Sequence, residues 1–268
     1  MSETQVVIDD GAMDGGESVR TLTLNRPQKA NALTQPMLVA LAGGFAEEGP
    51  EVQVLRSASS RLFCAGADIA EFVASAAHLA DHEHALIEMI RQRAFSPTPL
   101  VAIARGKASG AGALLLSLAD VVIAADDLEF GCPEIRFGMY PVIVEAVLQS
   151  RVSPAMAMRL CLGQPLDAAE AHRVGLVTEV LPSQDFDVLA AQRLAFYLER
   201  SGALKVARSS RLRAVPPEQL MARVQALAPL MAENFGQTGV RERITAYLDE
   251  LRRDKVRRIE VDSVRGAV

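Results

Sequence analysis

The chain has 268 residues, half of them hydrophobic, which allows a sizeable core and excludes disorder as its main state. Its formal net charge of −5 offers no general attraction for nucleic acid, and no basic run is interleaved with aromatic residues. Its 3 cysteines, Cys64, Cys132 and Cys161, show no C-x-x-C spacing, so they are read as small buried apolar residues and not as a disulfide framework or zinc site.

The polar start Met1 to Gln5 leads into a strand-like Val6-Val7-Ile8, unlike a signal or transit peptide, and a cytoplasmic protein is expected. Val19 to Leu24 alternates as a strand and ends at Asn25-Arg26-Pro27. A helix is predicted from Thr34 to Glu48, with Thr34 as N-cap and Pro36 in the first turn. Val52 to Leu55 is a short strand, and the small residues Ala65-Gly66-Ala67 form a turn before a helix that begins near Asp68. His78 and His82 share one face of the following helical segment and His84 lies close by; the segment is read as exposed helix, with no metal. Leu100 to Ala104 is a strand leading through Arg105, a residue of no evident purpose, into Gly106.

A helix from Gly110 to Ala119 and a strand from Val121 to Ala125 follow, and this alternation indicates α/β architecture. These two apolar runs are broken by Asp120 and are too short to span a membrane. Helices are predicted from Ser153 to Leu162 and from Ala168 to Val174. Phe186 to Leu251 is almost entirely helical, which places a boundary near residue 200: residues 1–200 form the core and 201–268 a helical region. The basic cluster Arg252, Arg253, Lys255, Arg257 and Arg258 is read as the solvated face and end of a helix.

Two small-residue turns and one carboxylate suit chemistry on a carbonyl. A helix N-terminus has unpaired N–H groups and partial positive charge, so the turn at Gly110-Ala111-Gly112 is a natural place for a developing oxyanion. Small side chains allow two backbone N–H groups to approach one oxygen, and Glu134 offers proton transfer beside it. A reaction through an enolate fits such a site.

Five ordered motifs resemble the crotonase family of enoyl-coenzyme A (CoA) hydratases and isomerases. They are Leu24-Asn25-Arg26-Pro27 with Asn31-Ala32-Leu33, Phe63 to Ile69, Gly106 to Asp120, Phe130 to Ile135, and Ala168 to Leu181. The resemblance implies a spiral of strand-strand-helix units, with helices after residue 200 that complete the pocket and pack between subunits of a homotrimer or dimer of trimers. It implies an acyl-CoA substrate, with CoA as part of the substrate and neither metal nor separate cofactor, and no nucleic-acid or membrane partner. The thioester oxygen would be held by the N–H groups of Ala67 and Ala111, and Glu134 would transfer the proton. Further substrate contacts fall on Arg26, Ala30, Ala65, Asp68, Ile69, Gly110, Leu114, Pro133 and Tyr140.

The departure from the family pattern is Leu114, which stands where two-glutamate hydratases carry their second glutamate. Holding and activating a nucleophilic water divides naturally between two carboxylates, whereas one suffices to move a proton between carbons. The sequence therefore favours double-bond isomerisation. A hydratase with a substituted water site, in which Tyr140 or Glu145 positions the water, and a catalytically weak acyl-CoA binder are the rivals. The apolar face Ile244, Tyr247, Leu248 and Leu251 could pack between subunits or within one.

Overall fold

The computed structural model describes residues 4–12, 16 and 18–265, and side chains as far as residue 253 except that of Ala76. The strands in chain order are β1 (Val6–Ala12), β2 (Ser18–Leu24), β3 (Val52–Ser57), β4 (Leu100–Ala104), β5 (Lys107–Ser109), β6 (Val121–Ala125), β7 (Glu129–Gly131), β8 (Leu166–Asp167) and β9 (Glu179–Leu181). They form a six-stranded sheet, β1-β2-β3-β4-β6-β9, and a three-stranded sheet, β5-β7-β8. The large sheet is parallel apart from the β1–β2 pair.

Both faces of that sheet are covered, which explains why its inner strands read as unbroken apolar runs. On one face Val52, Val54, Val101, Val121 and Ile123 pack against Phe186, Ala190 and Leu198 of α8 (Phe186–Leu198). On the other, Leu22, Leu55, Ala102, Val122 and Ala124 enter the main core. Arg105, of no evident purpose in the sequence, joins β4 to this covering helix: it donates to Ser183 O at 3.2 Å and lies 5.2 Å from the Phe186 ring centroid.

The helices before α8 are α1 (Gln35–Ala46), α2 (Ile69–Ala74), α3 (Ala76–Phe95), α4 (Ala111–Ser117), α5 (Val142–Leu148), α6 (Pro154–Cys161) and α7 (Ala168–Arg173). Their starts follow local chemistry. The side chains of Thr34 and Ser153 accept from Met37 N and Met156 N, and Asp167 forms a reciprocal cap with Glu170. Two successive turns of the winding each add a strand to the large sheet, then one to the small sheet, then a helical element: β4, β5 and α4, followed by β6, β7 and the 3₁₀ turn Pro133–Phe137. This is the strand-strand-helix spiral that the resemblance implied.

After α8 come α9 (Ser201–Ala214), α10 (Pro217–Phe235) and α11 (Val240–Arg265). α10 packs on α3 and α5, while α11 packs on α2 and the 3₁₀ turn. Ile244 is buried, Tyr247 and Leu248 are half-buried in the same cluster as Phe72 and Phe137, and Leu251 is exposed. Most of that apolar face is thus used within the chain. α11 continues through the basic cluster, whose Lys255, Arg257 and Arg258 side chains lie outside the described residues.

A buried ionic centre ties α3 and α9 to the sheet. Arg93 is fully buried and donates to Asp120 Oδ2 at 2.5 Å, while Arg208 and Arg211 approach Asp120 Oδ1 at 3.3 and 3.4 Å. Burial would raise the Asp120 carboxyl, but the three guanidinium groups and the Leu100 N–H hold it below its ordinary value.

Candidate active site

The first small-residue turn is held from below by the segment after β2. Ala30 and Asn31 are left-handed, with φ of 53° and 50°. The Asn31 side chain accepts from Arg26 N at 2.8 Å and donates to Ser57 Oγ at 2.7 Å and to Phe63 O at 2.9 Å. So fixed, Ala30 O accepts from Ala65 N at 3.0 Å, Leu33 N donates to Gly66 O at 2.8 Å, and Asp68 N donates to Leu33 O at 2.8 Å. Arg26 pairs with Asp68 at 2.7 Å. Arg26, Ala30 and Asp68 are therefore supports of the turn and are not among the residues that line the cavity above it.

The second turn docks directly on the first. Ser109 N donates to Cys64 O at 2.9 Å, and Gly110 N to Gly131 O at 2.9 Å. Gly66 adopts φ of 104°, and a Cβ built on it would stand 3.0 Å from Ser109 O and 3.8 Å from Ala111 N. Gly112 must likewise lack a side chain, since a Cβ there would meet Cys64 O at 2.6 Å. Among the described residues, the N–H groups of Ala67 and Ala111 donate to no protein acceptor.

A cavity of about 140 Å³ opens over both turns. Ala65, Ala67, Ile69, Ala111, Pro133, Glu134 and Tyr140 line it, as do residues the sequence did not single out, including Phe72, Leu86, Met139, Val142, Met231 and Asn234. Gly110 lies beneath the carboxyl of Glu134: its φ is 51°, and a Cβ there would overlap Glu134 Oε1. Leu114 is wholly buried in the main core and is not among the lining residues.

Glu134 Oε2 is buried without a hydrogen-bond partner, and burial, opposed only by the residue's own backbone N–H, pushes its pKa up to about 7. Such a carboxyl can both take and return a proton near neutrality. Beside it, burial and then the nearby Glu145 carboxylate raise the Tyr140 hydroxyl above its ordinary value. Tyr140 O accepts from Asn234 Nδ2 of α10 at 2.7 Å.

One expectation is overturned here. His78 and His84 are exposed, but His82 is fully buried and forms part of the cavity wall. Phe72 of α2 meets its ring edge-on at a centroid distance of 4.9 Å, because α2 folds back over α3 and closes that face from solvent. Among the described residues no group of three or more potential ligands gathers to hold a metal ion. All three cysteines are buried and free.

Two free N–H groups and a carboxyl raised into the neutral range thus surround one apolar cavity, and comparison with known proteins decides the family. The sequence profile of the enoyl-CoA hydratase/isomerase family matches residues 14–255. This chain belongs to that family. A probable enoyl-CoA hydratase, echA8, of Mycobacterium leprae is 38% identical over 65% of this chain and 69% of its own. A 2,3-dehydroadipyl-CoA hydratase of Escherichia coli is 34% identical over 70% of this chain and 75% of its own. The crystal structure of an enoyl-CoA hydratase from Mycobacterium avium subsp. paratuberculosis, 26% identical, superposes with a TM-score of 0.76 over 91% of this chain and 96% of that one. As an enoyl-CoA hydratase/isomerase family enzyme, the protein acts on an acyl-CoA thioester. No helix among the described residues is long and apolar enough to cross a membrane.

Proposed function

We propose that this enzyme moves the double bond of an enoyl-CoA. The observation that carries the reading is the pairing of Glu134, the carboxylate in the cavity wall, with Leu114 sealed in the core where two-glutamate hydratases place their second acid. Glu134 removes a proton from C2 of a 3-enoyl thioester, the C3=C4 electron pair becomes part of a dienolate, and the same proton returns at C4 to leave a C2=C3 double bond. The negative charge that develops on the thioester oxygen is met by the N–H groups of Ala67 and Ala111. Fixed donors in a dry site stabilise such a charge far better than water does. CoA enters as part of the substrate, and the chemistry needs no further cofactor.

Hydration is the second reading, favoured by the hydratase names of the relatives above. It requires a group other than Leu114 to hold the water, and Tyr140 stands beside Glu134 in the lining. Measuring both reactions on the wild-type protein separates the two. Conversion of 3-hexenoyl-CoA to the 2-isomer is expected to exceed hydration of 2-hexenoyl-CoA in kcat/KM. The reverse order would overturn the isomerase reading.

A further inference from the structure

We propose that Arg243 of α11 is a positioning residue that fixes Glu134 through the turn that carries it, an inference that rests on Glu134 as the base. Glu134 stands on the five-residue 3₁₀ turn Pro133–Phe137, a short element whose own hydrogen bonds hold a side chain less firmly than an α-helix does. Upstream, the chain is clamped where Gly131 O accepts from Gly110 N at 2.9 Å. Downstream, the clamp comes from another element. Arg243 Nε donates to Phe137 O at 2.7 Å, its one side-chain hydrogen bond among the described residues. Its guanidinium fills the space beside Gly138, which closes the turn with φ of 74°: a Cβ there would overlap Nη2 and stand 3.0 Å from Cζ. A Cβ on Gly239, just before α11, would stand 2.8 Å from Nη1. Glycines on both elements thus leave the room that the guanidinium occupies.

Apolar packing holds the same two elements together without fixing their register. Phe137 and Ile244 are buried in one cluster, and the Tyr247 ring lies 5.2 Å from that of Phe137, so α11 stays docked on the turn when Arg243 is truncated. Such contacts are non-directional and tolerate sliding, whereas a hydrogen bond to one carbonyl does not. Met139 N donates to Glu134 O at 3.2 Å, so a shift at Phe137 and Gly138 passes to the peptide of Glu134 itself. A reacting group displaced by about 1 Å can lose on the order of 10² in rate.

Steady-state kinetics of Arg243→Ala and Arg243→Lys, each alone and combined with Glu134→Gln, test this on whichever of 3-hexenoyl-CoA and 2-hexenoyl-CoA the wild type turns over faster. Arg243→Ala should lower kcat roughly tenfold and leave KM within about twofold. Arg243→Lys, which keeps a charged donor without the planar guanidinium, should recover part of that loss. On the Glu134→Gln background, assayed at high enzyme concentration, Arg243→Ala should lower the residual kcat by less than about twofold, since no base is left to misplace. Equal losses on the two backgrounds would show that Arg243 acts on something other than Glu134 and overturn the proposal. An unchanged kcat in Arg243→Ala, or a loss confined to KM, would do the same. If Arg243→Ala does not fold, Arg243→Lys on the two backgrounds decides by the same comparison. Full turnover by Glu134→Gln with Arg243 in place would instead remove the base on which the proposal rests.

Discussion

Two carboxylates in this molecule are withdrawn from water with opposite results. Asp120 sits among Arg93, Arg208 and Arg211 and is held ionised below its ordinary range. Among the described residues no cation offsets the burial of Glu134, whose carboxyl is pushed up to about 7. Burial penalises the charged form in both cases, and the partners decide whether that penalty is overcome. The first arrangement joins α3 and α9 to the sheet; the second leaves a proton free to move.

The largest test of this contrast is Glu134→Gln, which keeps the shape of the residue and removes the base. Turnover on the preferred enoyl-CoA should fall by roughly 10²–10⁴, with thioester binding nearly unchanged. Wild-type turnover in the variant would take the catalytic role away from Glu134.

Asp120→Asn should act on stability instead. It leaves the fully buried Arg93 without a countercharge, and the cost of breaking such a pair is about 3–5 kcal/mol. Urea unfolding should register that loss, while the turnover of the folded fraction stays close to wild type. An unchanged unfolding midpoint would mean that the buried Arg93 does not depend on Asp120 as its countercharge.

The smallest effect is a dependence on pH. A carboxyl raised by folding contributes stability that is fully present below its unfolded pKa of 4.5 and is lost as pH rises through about 7. Relative to Glu134→Gln, the wild type should therefore lose about 1–3 kcal/mol between pH 5 and pH 8. Its kcat/KM should rise over the same interval, as the base form appears. Parallel stability curves for the two proteins would show that Glu134 titrates in the ordinary carboxylate range.

Much of this was legible in the chain because the signals are local. Leu100–Ala104 and Val121–Ala125 are strands with the bounds their apolar runs gave, and Thr34 caps the helix it precedes. The strands of the small sheet are two or three residues long, too short to show any period, and were not legible. The small residues shared by the two turns suggested their pairing, but the contact itself was not legible, since it is made by backbone atoms of Gly66, Ser109 and Ala111. His82 was misread because its neighbours Asp81, Glu83 and His84 are polar, while the cover that buries it comes from Phe72 on another helix. The far wall, Met231, Asn234 and Tyr247, lies too far along the chain for any window to connect it with Glu134.

That far wall also sets an order in time. Arg243 of α11 donates to Phe137 O at 2.7 Å and packs over Gly138, latching the last helix to the turn that carries Glu134. A ribosome releases both turns and Glu134 well before it makes Met231, Arg243 and Tyr247. Until those residues dock, part of the wall around the carboxyl is missing. The nascent protein thus holds its reactive groups before the enclosure that surrounds them is complete.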